Sequence, residues 1–272
     1  MEFDGAAFDR SRPITREHLE EVLRRISGVD VRIEELQVAS TFTDRAMQAT
    51  TYRRGRVLLA GDSAHVHSPM GGQGLNVGIG DAINLGWKLA GVVRGSAPAG
   101  LLDSYTLERH PIGVAMLEWS RAQVVTLQPN LHGAAIGRLV EELLRTDEGT
   151  NAVVARLWGV SQRYELGEAH PLVGMSAPDL ELADGNRLGV RLQGGRGLLI
   201  DLVGEAGVAA LGRGWASRIE YVCLGARDTL GLRALLVRPD GIVAWVAEGA
   251  PDLDAAAVAL GRWFGARTSG PR

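Results

Sequence analysis

The sequence predicts an α/β protein built as two successive units, and three observations carry that prediction. A short apolar run from Arg56 to Gly61 ends in Gly-Asp and leads through a glycine-dense stretch into a helix, the order strand, loop, helix found at ligand sites of α/β folds. Residues 94–166 carry helical periodicity almost throughout. Beyond His170-Pro171 the texture changes to short hydrophobic runs separated by turn signals, the pattern of a second, small α/β unit.

Met1 to Arg12 has no periodicity and reads as a loose segment. Thr15 is placed as the N-cap of a helix whose apolar stripe, Leu19, Val22, Leu23 and Ile26, ends at Gly28. From Val29 to Tyr52 the chain reads as strands: Val29, Val31 and Ile33 alternate, and a second run spans Leu36 to Thr43. Arg53-Arg54-Gly55 reads as a turn, and Arg56–Gly61 as a buried strand. A helix is expected from about Asp81 to Val93. The next starts near Leu101, and Pro111 must bend it or begin a new segment. Helical pattern continues over 117–127, 134–144 and 152–166. In the second unit, strands are expected at 197–202, 219–224, 234–237 and 242–246, with Pro239-Asp240-Gly241 as a turn and Asp254–Phe264 as a closing helix. The divisions expected are 1–54, 55–168 and 169–272.

Composition narrows the function classes. Twenty-nine basic against thirty-two acidic side chains leave a net charge of −3, which gives no electrostatic reason to expect nucleic acid or an anionic membrane as partner. A single cysteine, Cys223, excludes an internal disulfide, a cysteine zinc site and dithiol redox chemistry. No run approaches the roughly 18 apolar residues of a membrane helix. These readings point to a cytoplasmic protein.

The chemistry concentrates in Gly61-Asp62-Ser63-Ala64-His65 and Pro69-Met70-Gly71-Gly72-Gln73-Gly74-Leu75-Asn76. A carboxylate at the carboxyl edge of a sheet accepts hydrogen bonds, so Asp62 suits a hydroxyl-rich chain such as ribose or ribitol. Glycines let main-chain donors approach a flat or phosphorylated ligand, and Gly74-Leu75-Asn76, leading towards a helix, offers free amides to negative charge. Packing alone accounts for glycines at such joints; it does not account for Asp62, His65, Pro69, Asn76, Asp81, Asn84, Trp87 and Lys88 following in fixed order.

The phrase from Gly55 to Ala90 closely resembles the second flavin-binding motif of class A FAD-dependent aromatic hydroxylases, particularly those acting on aromatic polyketides. The resemblance implies that Gly61 and Asp62 meet the ribityl chain of FAD and that Pro69 borders the reactive face of the isoalloxazine. It further implies that Gly72 and the amides of Gly74, Leu75 and Asn76 hold the pyrimidine edge, where they stabilise negative charge on the reduced ring. NAD(P)H and O2 are the co-substrates in the intact family, and an aromatic polyketide the substrate. Phe42–Tyr52 resembles the last strand of the substrate sheet, and residues 81–166 the interdomain helical section. Leu235–Gly241 with Ala244-Trp245 resembles a phrase of the family's thioredoxin-like C-terminal domain, here without Cys-x-x-Cys.

The sequence departs from the family in one large respect. No Gly-x-Gly-x-x-Gly follows a strand; Gly72-Gln73-Gly74-Leu75-Asn76-Val77 has valine at the third glycine. The expectation is therefore a fragment, one subunit of a split enzyme whose partner supplies the N-terminal half, or a repurposed stand-alone protein, alone or as a homo-oligomer. The rival functions are a flavin-independent cyclase, isomerase or dehydratase acting on a polyketide, and a non-catalytic partner subunit. No catalytic side chain and no metal site are assigned: His65 and His67 lack a third ligand, and Ser63 lacks the surroundings of a nucleophile. Arg45, Arg53 and Arg54 read as solvated surface, Met116, Leu117 and Trp119 as core, and Cys223 as a buried small hydrophobe.

Overall fold

The computed structural model describes residues 13–42, 44–128, 130–168 and 170–267; the opening segment read as loose lies outside them. Helix α1 (Arg16–Ser27) begins where the sequence places it, with Thr15 Oγ1 accepting the His18 N–H at 3.2 Å, and ends at Gly28 in the left-handed conformation (φ 69°). None of its residues is buried. Glu20 and Arg24 instead hold residues 31–33 against it, through the Ile33 N–H (2.8 Å) and the Val31 carbonyl (3.1 Å).

The strands expected over residues 29–43 do not form within the described residues 29–42; Thr43 lies outside them. Val29, Val38 and Phe42 are exposed, and no strand among the described residues lies beside them to exchange ladder hydrogen bonds. Pairing begins only at β1 (Met47–Gln48), antiparallel to β4 (His65–Val66). The turn read at Arg53–Gly55 and the buried strand read at Arg56–Gly61 are both corrected: β2 (Arg53–Arg54) and β3 (Val57–Leu58) form a small hairpin about Gly55 (φ 61°). Val57 is exposed, because the apolar run covers no core on that side.

Helix α2 (Gly74–Val93) starts seven residues before Asp81. Its glycines are packing positions rather than helix breakers: a Cβ on Gly78 would stand 3.4 Å from the Gly61 Cα, and one on Gly80 would stand 2.8 Å from an Arg109 nitrogen. Helix α3 (Asp103–Thr126) runs unbroken through Pro111. Helix α4 (Leu131–Leu144) is capped by Asn130, and α5 (Asp147–Leu157) by Thr146. The helix expected to reach 166 stops at Leu157, with Gly159 left-handed (φ 73°) just beyond.

The second unit is the small α/β unit the sequence predicts, with the element order of the thioredoxin-like domain that the resemblance implies. After a single turn α6 (Leu188–Arg191) come β5 (Gly197–Asp201), α7 (Ala206–Gly214), β6 (Ile219–Cys223), β7 (Ala234–Val237), β8 (Val243–Ala247) and α8 (Leu253–Phe264). The sheet order is β6-β5-β7-β8, with β5 and β6 parallel across their helical crossover and the other pairs antiparallel. Here lies the main core: Leu198, Leu199, Ile200, Leu235 and Leu236 are fully buried, with Val208, Leu260 and Phe264 packed over them. Cys223 is exposed at the end of β6, a correction to its expected burial.

Charged side chains join the units. Arg238, completely buried just after β7, donates to both oxygens of Glu108 on α3 (2.9 and 2.8 Å) and to Asp240. Glu108 also receives Lys88 Nζ (2.9 Å) and Asn84 Nδ2 (2.7 Å) from α2, and Asp240 accepts the Trp87 indole N–H at 3.0 Å.

Candidate functional site

Gly61, at φ 57°, opens a one-turn 3-10 helix, Gly61–Ser63, with Asp62 exposed at its centre. The turn rests on α2, where Gly78 permits the approach of the two backbones. Asp62 thus stands in a turn after a two-residue hairpin strand, not at the edge of a parallel sheet.

Under the turn lies Asp81. It is fully buried and accepts the Gly61 N–H (2.9 Å), His65 Nε2 (2.8 Å) and Arg109 Nε (2.7 Å). Burial pushes its carboxyl up, but the hydrogen bonds from His65, Arg109 and Gly61 outweigh burial and hold it below the ordinary carboxylate range.

The loop between β4 and α2 is pinned from behind. The Gln123 amide, oriented by its neighbours, accepts the Trp119 indole N–H and donates to the Met70 carbonyl, each at 3.0 Å. Gln73 donates to the Arg156 carbonyl at 3.2 Å. Met116 and Leu117 are buried as expected, whereas Trp119 is half-buried beneath this loop, with Arg156 over its ring. Pro69 is exposed, and a Cβ at Gly72 would meet nothing within 4 Å. Gly74, Leu75 and Asn76 are the first three residues of α2, so their amides find no acceptor inside the helix and lie at its positive end. Leu75 and Asn76 are exposed. Beside the loop, His65 Nδ1 and Ser68 Oγ are buried without a hydrogen-bond partner among the described residues.

Chemically, an exposed carboxylate and a row of free amides face solvent from one rigid body, α2 with the turn clamped to it. The carboxylate accepts from hydroxyls; the amides donate to a carbonyl or an anion. That donor set, with open space over Gly72, fits the ribityl and pyrimidine parts of a flavin. Arg53 pairs with Asp103 at 2.7 Å and takes no part. Among the described residues no group of three or more His, Cys, Asp or Glu is placed to hold a metal. A cavity of about 140 Å³ lies at the seam between the units, lined by Asn84, Arg109, Tyr164 and Asp240 rather than by the glycine loop.

Sequence reasoning gave no role to Asp81, Lys88, Glu108, Arg109 or Arg238. A signal was present: Asp81, Asn84 and Lys88 recur at helical spacing along an otherwise apolar helix, and all three are buried.

The chain matches the family described as FAD binding domain over residues 1–120 and aromatic-ring hydroxylase, C-terminal, over residues 170–267. A monooxygenase of Claviceps purpurea is 51% identical over 269 residues, 97% of this chain and 52% of that protein. A dialkyldecalin synthase of Streptomyces rugosporus is 38% identical over 97% of this chain and 53% of its own length. Among solved structures, the OxyS anhydrotetracycline hydroxylase from Streptomyces rimosus superposes with a TM-score of 0.87 at 39% identity, covering 94% of this chain and 54% of that one. The chain therefore spans about half the length of the curated relatives it matches. The two parts of the chain thus match an FAD binding domain and the C-terminal domain of aromatic-ring hydroxylases, and the chain is similar to the C-terminal portion of the FAD-dependent members.

Proposed function

We propose that the chain supplies the isoalloxazine and ribityl side of the flavin site in an aromatic-polyketide hydroxylase. Asp62 accepts from a ribityl hydroxyl, and Gly61 and Gly72 let the backbone approach the cofactor. Pro69 borders the ring, and the first-turn amides at Gly74, Leu75 and Asn76 bond its pyrimidine edge. FAD, when bound, supplies the redox chemistry that couples NAD(P)H and O2 to oxygenation of the substrate. The first-turn amides stabilise negative charge at the pyrimidine edge because they are fixed before any charge develops. This sequence holds no dinucleotide fingerprint, so the pyrophosphate and adenosine are held by residues outside it, on another polypeptide or another part of a longer one.

The observation that supports this reading is the single rigid unit formed by the Asp62 turn and the open N-terminus of α2. Riboflavin tests it, since it carries the ring and ribityl chain without pyrophosphate. Its fluorescence is expected to quench on binding, and Asp62→Ala to weaken binding about tenfold, the effect of losing about 1.4 kcal/mol. Equal affinity in the two proteins removes Asp62 from the role.

A second reading, a cyclase without net redox turnover, is favoured by the relative named as a dialkyldecalin synthase. Conversion of a polyketide intermediate without NAD(P)H consumption selects it.

A further inference from the structure

We propose that Asp81 is the positioning residue of the cofactor loop, setting where Asp62 stands relative to the first turn of α2. The assignment rests on the reading of Asp62 and Gly74–Asn76 as flavin contacts. The Gly61–Ser63 turn buries no residue of its own, so no apolar anchor fixes it. Its attachment to α2 is made by the Gly61–Gly78 backbone approach and by the Gly61 N–H bond to Asp81. A close approach without side chains tolerates sliding; a charge-assisted hydrogen bond to a buried carboxylate does not.

The carboxylate is itself immobilised. One oxygen receives Arg109 Nε, and the other receives the Gly61 amide and His65 Nε2. Because a carboxylate only accepts, the shared hydrogen of the His65 contact is on Nε2. Arg109 is held in turn by the Tyr164 hydroxyl (2.9 Å) and the Val77 carbonyl (3.0 Å), and the absence of a side chain at Gly80 lets it cross α2. The Tyr52 ring lies beside His65 and against Tyr105, and all three are buried, which shields the cluster from solvent. Asp81 lies on the helix whose first turn carries the amides. The bond to Gly61 therefore fixes the two halves of the grip in one frame.

Amide hydrogen exchange of the flavin-free chain tests this without depending on cofactor binding. Asp81→Asn is expected to speed exchange at Gly61–Ala64 at least tenfold while β5 and β7 keep their protection. Unchanged exchange at the turn, or equal acceleration throughout the chain, overturns the proposal. Should Asp81→Asn fail to fold, Arg109→Lys, which keeps the charge but loses the fork, is expected to give the same local effect more weakly, and no local effect overturns it. Riboflavin titration adds a functional readout. Asp81→Asn is expected to weaken binding, and the double variant with Asp62→Ala to bind no worse than Asp62→Ala alone, whereas strictly additive losses mark Asp81 as a general stabiliser. Absence of riboflavin binding in the unmodified chain counts against the proposed function, while the exchange pattern still decides the role of Asp81.

Discussion

Glu108 shows how a buried acid holds the seam between the two units together. Burial alone would push its carboxyl up; the Arg238 guanidinium and the Lys88 ammonium outweigh burial and hold it at about 2. An unfolded chain releases that proton near 4.5, so the pair stabilises the fold above pH 4.5, and the contribution is lost as pH falls towards 2. At about 1.4 kcal/mol per unit, the amount is on the order of 3 kcal/mol. Urea midpoints are expected to fall over that window, and Glu108→Gln to flatten the fall. Lys88 gives a slope of the same sign in a higher window and from a different cause: burial lowers its ammonium from 10.5 to about 8 despite the attraction of Glu108. Between those values the unfolded chain binds more protons, so this group makes stability rise with pH. Arg238→Met leaves Asp240 buried without its cation and Glu108 with Lys88 alone, and is expected to cost about 3–5 kcal/mol in urea unfolding. A loss below about 1 kcal/mol would show that the seam does not depend on the pair.

At the scale of elements, the second unit was legible because each strand is a short apolar run bounded by turn residues. Residues 234–237 were placed to the residue, and the other three strands within one. The first unit was less so, for reasons visible in particular residues. Gly74, Gly78 and Gly80 read as loop, but they open α2 and admit Gly61 and Arg109; tertiary contact overrides their low helix propensity. Pro111 read as a bend or the start of a new segment, and α3 continues through it as one helix. The alternation over 29–33 is real, but a strand needs a partner to complete its hydrogen bonds. For the site, the motif residues, Asp81 among them, were legible as a phrase, whereas the role of Asp81 under the turn was not, because its partner Arg109 lies 28 residues further on and its bond to Gly61 spans 20. Glycines in the second unit follow the same packing logic. A Cβ at Gly197 would stand 2.2 Å from the Phe264 ring, so Gly197→Ala is expected to lose about 1–3 kcal/mol by overpacking, read as a lowered melting temperature.

At the scale of the whole molecule, α1 is amphipathic but has no buried residue, and Val38 and Phe42 that follow it are exposed. A surface of that kind asks for cover by another polypeptide or a second copy. Sedimentation of the purified chain is expected to show an assembly larger than 29.0 kDa, or to shift when the dinucleotide-binding part is added. A stable monomer indifferent to that addition contradicts the idea.

Mapping riboflavin onto the backbone amides by nuclear magnetic resonance asks whether the Asp62 turn and the opening of α2 together grip a flavin ring. The largest shifts are expected at Gly61–Ser63 and Gly74–Asn76, with little change in β5–β8. Saturating riboflavin that shifts amides elsewhere, or shifts none at all, contradicts it.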